Sequence, residues 1–138
     1  HLTTQASGPA PDALVLAGCR LIVATSKPHP FAKPILRHFD LSSRFAAIHG
    51  AELDGRNDDK ADLIAHIIAT EGVDPERAIM VGDRLFDVRG AAKNGIRSIG
   101  ALWGYGGLAE LREAGASALC DQPKGLPKLA LWLLTGST

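Results

Sequence analysis

The chain has 138 residues, 46% hydrophobic and 22% charged, which suits a single globular core and excludes a disordered tail. Its 15 basic and 15 acidic residues cancel and no long basic run occurs, so neither nucleic acid nor an anionic membrane surface is an expected partner. No apolar stretch approaches the roughly 20 residues that span a bilayer, and Cys19 and Cys120, with no Cys-x-x-Cys pair, fit thiols in a reducing, cytoplasmic setting.

Residues 1–10 are expected to be disordered or expression-derived, and 11–138 to form one domain. Pro11 to Gly18 allows only a short helix, closed by Gly18. Arg20–Thr25 reads as a strand, followed by a helical pattern from about Pro30 to Phe39. Phe45–His49 reads as a second strand, and Gly50 to Asp59 as a polar loop. Lys60 opens the clearest helix, with Leu63, Ile64, Ile67 and Ile68 in one stripe. That helix ends at 70–72, before a turn over 74–77. Residues 78–82 form an apolar strand and a helix runs from about Phe86 to Asn94. A strand over Ile96–Leu102, a glycine-rich loop over 103–107 and a short helix near Leu108–Glu113 follow. A small edge strand at Ser117–Cys120 and an amphipathic helix over Leu126–Leu134 complete the chain. Strands alternating with helices predict an α/β fold, a parallel sheet with right-handed crossovers.

The segment Val81-Gly-Asp83-Arg-Leu-Phe-Asp87 sets a carboxylate at a strand's carboxyl end and a second one helical turn on. Two hard oxygen donors facing one point suit Mg²⁺. The plainer alternative is that Asp83 only caps the helix and Asp87 is solvated. Thr25 and Ser26 end the first strand, and in a parallel sheet they open on the same edge as Lys60 and Asp83. Hydroxyls, N–H groups and an ammonium there can hold phosphate oxygens beside a cation. Lys60 at a helix start opposes the macrodipole unless an anion sits near it.

Val23-Ala-Thr25-Ser26-Lys27-Pro28, Lys60-Ala-Asp-Leu-Ile and Val81-Gly-Asp83-Arg-Leu-Phe-Asp87 together resemble the haloacid-dehalogenase (HAD) superfamily. Within it, the chain looks most like phosphoglycolate-phosphatase-like hydrolases. The resemblance implies a HAD-like Rossmannoid parallel sheet flanked by helices and an Mg²⁺-dependent phosphate-monoester hydrolase acting on a small phosphorylated metabolite. It implies that Thr25 hydrogen-bonds the transferring phosphoryl group, with Ser26 beside it. Lys60 would neutralise charge, Asp83 would ligate Mg²⁺, and Asp87 would support the metal directly or through water. Chemistry would pass through an aspartyl-phosphate.

The family's nucleophile, the first Asp of an Asp-x-Asp-x-Thr strand, and the helical cap that follows it do not occur before Thr25. In the family that strand lies between the Thr25 strand and the Asp83 strand. Its loss would leave apolar edges open to pairing, so a truncated or internally deleted form and a possible homodimer are expected. Glu52-Leu-Asp54-Gly55 imitates the nucleophile motif in the wrong place.

Two other classes compete. One is a non-catalytic HAD domain that binds phosphate or a partner. The other is a dinucleotide-binding module, from Gly104-Tyr-Gly106-Gly-Leu-Ala109 with Asp121 downstream. Trp132 is expected to pack in the core and Arg84 to be an exposed helix-start residue. No His pair has zinc spacing.

Overall fold

The computed structural model describes residues 18–25, 47–50 and 59–136. Five parallel strands and four α-helices make up most of this part, as the alternating pattern predicts. Strands β1 (Ile22–Thr25) and β2 (Ala47–Gly50) pair in parallel with Thr25 opposite Gly50. Strands β3 (Ile79–Gly82), β4 (Arg97–Ala101) and β5 (Ala118–Cys120) form a parallel sheet in that order, with Val81 opposite Ile99. Helix α1 is Lys60–Glu71, α2 Leu85–Lys93, α3 Gly107–Ala114 and α4 Leu126–Thr135. The expected N-terminal segment, the helix over 30–39 and most of the 50–59 loop lie outside the described residues.

Period-two alternation divides the core between two layers. On one side Leu21, Ile79, Val81 and Ile99 pack with Leu126 and Ala130 of α4. On the other, Ile22, Ala24, Ala78 and Met80 pack with Leu63, Ile64 and Ile67 of α1 and with Ala91 of α2. β1 and β3 thus feed the same two layers, although among the described residues no backbone ladder joins them. An apolar cavity of about 40 Å³, lined by Ile22, Ala24, Ile64, Ile67, Ala78 and Met80, lies where β1, β3 and α1 meet.

Helix α1 starts where Asp59 can cap it: its Oδ1 accepts from the N–H of Ala61 at 2.8 Å and of Asp62 at 3.4 Å. The expectation that Trp132 packs in the core is incorrect, because the residue is 43% exposed. Leu126 and Ala130, four apart, define α4's buried stripe, and Trp132 lies two residues on, about 200° round the helix. Cys19 and Cys120 are both free, and burial raises the pKa of the Cys120 thiol. Among the described residues no helix is long and apolar enough to cross a membrane.

Candidate active site at the strand ends

β3 delivers Asp83 to its carboxyl end and α2 begins two residues later, so the backbone must turn sharply there. The N-cap of α2 is Arg84, not Asp83, which removes the capping explanation of that carboxylate. Asp83 is only 2% exposed. Its Oδ2 accepts from the Tyr105 N–H at 3.0 Å, and its Oδ1 accepts no hydrogen bond from the described residues. A buried carboxylate with one oxygen left open is poised for a cation.

Asp87, one turn along α2, is also buried rather than solvated. Its Oδ2 accepts from the N–H of Asp83 at 3.1 Å and of Arg84 at 3.2 Å, holding the turn in shape. Its Oδ1 lies 2.9 Å from the Lys60 ammonium, and both side chains are 7% exposed. Both Asp87 oxygens are therefore engaged within the protein. Lys60 also donates to the Ala24 carbonyl at 3.0 Å, at the end of β1. The anion that offsets a lysine at the start of α1 is Asp87. An ammonium has three donors, and its contacts with the described residues use two of them.

Of the residues singled out in the sequence, Lys60, Asp83 and Asp87 thus come together. Lys60 reaches the carbonyl of the residue before Thr25, so the β1 terminus joins the group. Ser26 and the Glu52–Gly55 stretch lie outside the described residues. Among the described residues no group of three or more His, Cys, Asp or Glu side chains is placed to hold a metal, so Asp83 would need other oxygens beside it.

The glycine-rich loop has a different use from pyrophosphate binding. A Cβ on Gly104 would lie 2.2 Å from Asp83 Cβ and 2.4 Å from its Oδ2, and one on Gly106 would lie 2.1 Å from the Asp83 carbonyl oxygen. The Gly106 N–H donates to that carbonyl at 2.8 Å. These two glycines let the loop lie against Asp83, and the sequence cannot distinguish that from a nucleotide motif. Arg84 is half-exposed and paired: its Nε donates to Glu110 Oε2 at 2.9 Å, and its guanidinium carbon lies 5.3 Å from the centroid of the Phe86 ring. The Arg84 hydrogen bond, then that of the Leu85 N–H, holds the Glu110 carboxyl below its usual range. No sequence pattern marked Glu110, an acidic residue on a short surface helix.

Comparison with known proteins places the chain in a family. Residues 6–95 match the haloacid dehalogenase-like hydrolases. The chain belongs to that family. A 5′-nucleotidase of Pseudomonas aeruginosa is 48% identical over 101 residues, 73% of this chain and 46% of that protein. The tyrosine-protein kinase PtkA of Mycobacterium tuberculosis is 50% identical over 99 residues, 72% of this chain and 34% of that one. A phosphoglycolate phosphatase of Agrobacterium fabrum also matches, at 37% identity over 94 residues, which are 68% of this chain and 40% of that one. Among solved structures, a predicted phosphatase from Clostridium acetobutylicum superposes with a TM-score of 0.79 at 42% identity. It covers 88% of this chain and 56% of its own length. The HAD-like chain thus spans less than half the length of these curated relatives. The HAD-like α/β fold and the likeness to phosphoglycolate phosphatases are as the sequence implies.

Proposed function

We propose that the chain carries the cation- and phosphate-holding part of an Mg²⁺-dependent phosphate-monoester hydrolase acting on a small phosphorylated metabolite. The observation that supports this most is the buried Asp83 carboxylate, whose Oδ1 is open at a strand end next to the Lys60–Asp87 pair. In this reading Asp83 is the metal ligand. Asp87 fixes the turn beneath it and orients Lys60, and it meets the metal only through water. The third N–H of Lys60 and the hydroxyls of Thr25 and Ser26 hold phosphoryl oxygens. Mg²⁺, when bound, would neutralise charge on those oxygens.

The proposed pathway is an aspartyl-phosphate, whose attacking carboxylate is not visible in this chain. The 24 residues before Thr25 contain only Asp12 and no Asp-x-Asp pair. With both oxygens engaged, Asp87 is unsuited to attack. A second reading is a HAD domain that binds Mg²⁺ and phosphate without turnover.

Calorimetric titration with Mg²⁺ tests the shared part. The chain is expected to bind Mg²⁺, and Asp83→Asn to weaken binding on the order of a hundred-fold, because a charge close to the ion is worth several kcal/mol. Equal affinity of the two proteins would refute the assignment of Asp83. Hydrolysis of p-nitrophenyl phosphate, phosphoglycolate and a nucleoside 5′-monophosphate then separates the readings. Turnover supports an enzyme with a nucleophile supplied in another way, and Mg²⁺-dependent binding of orthovanadate without turnover supports the second.

A further inference from the structure

We infer that Glu110, on α3, is a positioning residue for the Asp83 carboxylate, which it governs without touching. The inference rests on reading Asp83 as the cation ligand. Five hydrogen bonds connect the stretch 104–110 to the stretch 83–85. The Tyr105 N–H donates to Asp83 Oδ2 at 3.0 Å, and the Gly106 N–H to the Asp83 carbonyl at 2.8 Å. In the reverse direction, the Leu85 N–H donates to Glu110 Oε2 at 3.0 Å, and Arg84 donates to both Glu110 oxygens at 2.9 and 3.4 Å.

Glu110 therefore performs a task that its target helix cannot perform for itself. The first N–H groups of any helix lack partners within it. At α2 the N-cap is Arg84, whose side chain makes no capping hydrogen bond. Glu110 supplies the missing acceptor to Leu85, the first residue of α2, from a different helix. Because Glu110 follows Gly106 by four residues, the same carboxylate pins the start of α3 and the loop carrying the Tyr105 N–H. Loop and helix start move as a unit, and the direction of Asp83 Oδ2, and hence of the open Oδ1, is set by that unit. The close fit of Gly106 supports this, since a Cβ there would lie 2.6 Å from Glu110 Oε2 as well as against the Asp83 carbonyl.

Outer-layer partners of metal ligands typically change metal affinity by about ten- to a hundred-fold when removed. Three proteins test the inference: the unaltered chain, Glu110→Ala, and Glu110→Gln, which keeps a carbonyl oxygen for the Leu85 N–H. Calorimetry with Mg²⁺ is expected to give about ten-fold weaker binding for Glu110→Ala, and binding within about three-fold of the unaltered chain for Glu110→Gln. A second readout needs no metal: by NMR, the Tyr105 amide is expected to exchange at least about ten-fold faster in Glu110→Ala and near the original rate in Glu110→Gln. Unchanged Mg²⁺ affinity and unchanged Tyr105 exchange in Glu110→Ala would overturn the inference. So would a Glu110→Gln protein as impaired as Glu110→Ala, which would mean that charge alone matters. If the unaltered chain binds no Mg²⁺, the cation reading fails, and Tyr105 exchange decides the positioning role independently.

Discussion

Lys60→Met is expected to destabilise the chain by about 3–5 kcal/mol, the usual consequence of removing one partner from a buried ion pair. The substitution preserves most of the side chain's apolar bulk but strands the Asp87 carboxylate, which is 7% exposed and 2.9 Å from the missing ammonium. It also leaves the Ala24 carbonyl without its 3.0 Å donor. Urea unfolding followed by circular dichroism measures the loss, and a change below about 1 kcal/mol would show that the pair is not structural. The double variant Lys60→Met/Asp87→Asn separates charge from shape. Asn keeps an oxygen for the N–H groups of Asp83 and Arg84 while removing the stranded charge, so most of the lost stability is expected to return.

Gly104→Ala is expected to cost about 1–3 kcal/mol, as overpacking of a closed site does, and to weaken Mg²⁺ binding at least about ten-fold. A methyl group there would lie 2.2 Å from Asp83 Cβ and 2.4 Å from its Oδ2, so either the loop lifts or the carboxylate turns. In each case the Tyr105 N–H loses its hold on Oδ2. Gly125→Ala is the matched control, because a Cβ there meets only Cys120 Sγ at 3.7 Å, an ordinary contact. It is expected to leave both stability and Mg²⁺ binding nearly unchanged. A Gly104→Ala protein that matches this control by calorimetry and urea unfolding would contradict the described contact.

Much of this architecture is legible in the sequence because its elements carry strong local signals. The Leu63–Ile64–Ile67 stripe and the apolar run ending at Gly82 each fix an element through short-range periodicity. Lys60, Asp83 and Asp87 were identifiable because a parallel sheet gathers the carboxyl ends of its strands at one edge. Which oxygen bonds which donor was not legible. Spacing permits Asp87 to face a cation, yet its oxygens are turned to Lys60 and to two backbone N–H groups. Glu110 gave no signal, since a carboxylate that caps a helix 25 residues away looks like any surface glutamate. The Gly104–Gly106 spacing was visible but ambiguous, because tight packing on a side chain and close approach of a phosphate both require the absence of a Cβ. The expectation for Trp132 fails because the phase of α4 is set by Leu126 and Ala130, and Trp132 does not share their stripe.

The bridge from Ala24 through Lys60 to Asp87 fastens the end of one sheet to the first turn after the other. Mutational drift in a descendant that had abandoned catalysis would therefore be resisted at Lys60 and Asp87 by folding alone. Their survival in any such protein is a fossil of architecture and carries no testimony about chemistry. Among the described residues Asp83 Oδ1 accepts no hydrogen bond, which makes the side chain at that one position the informative witness to whether selection still acts on a reaction.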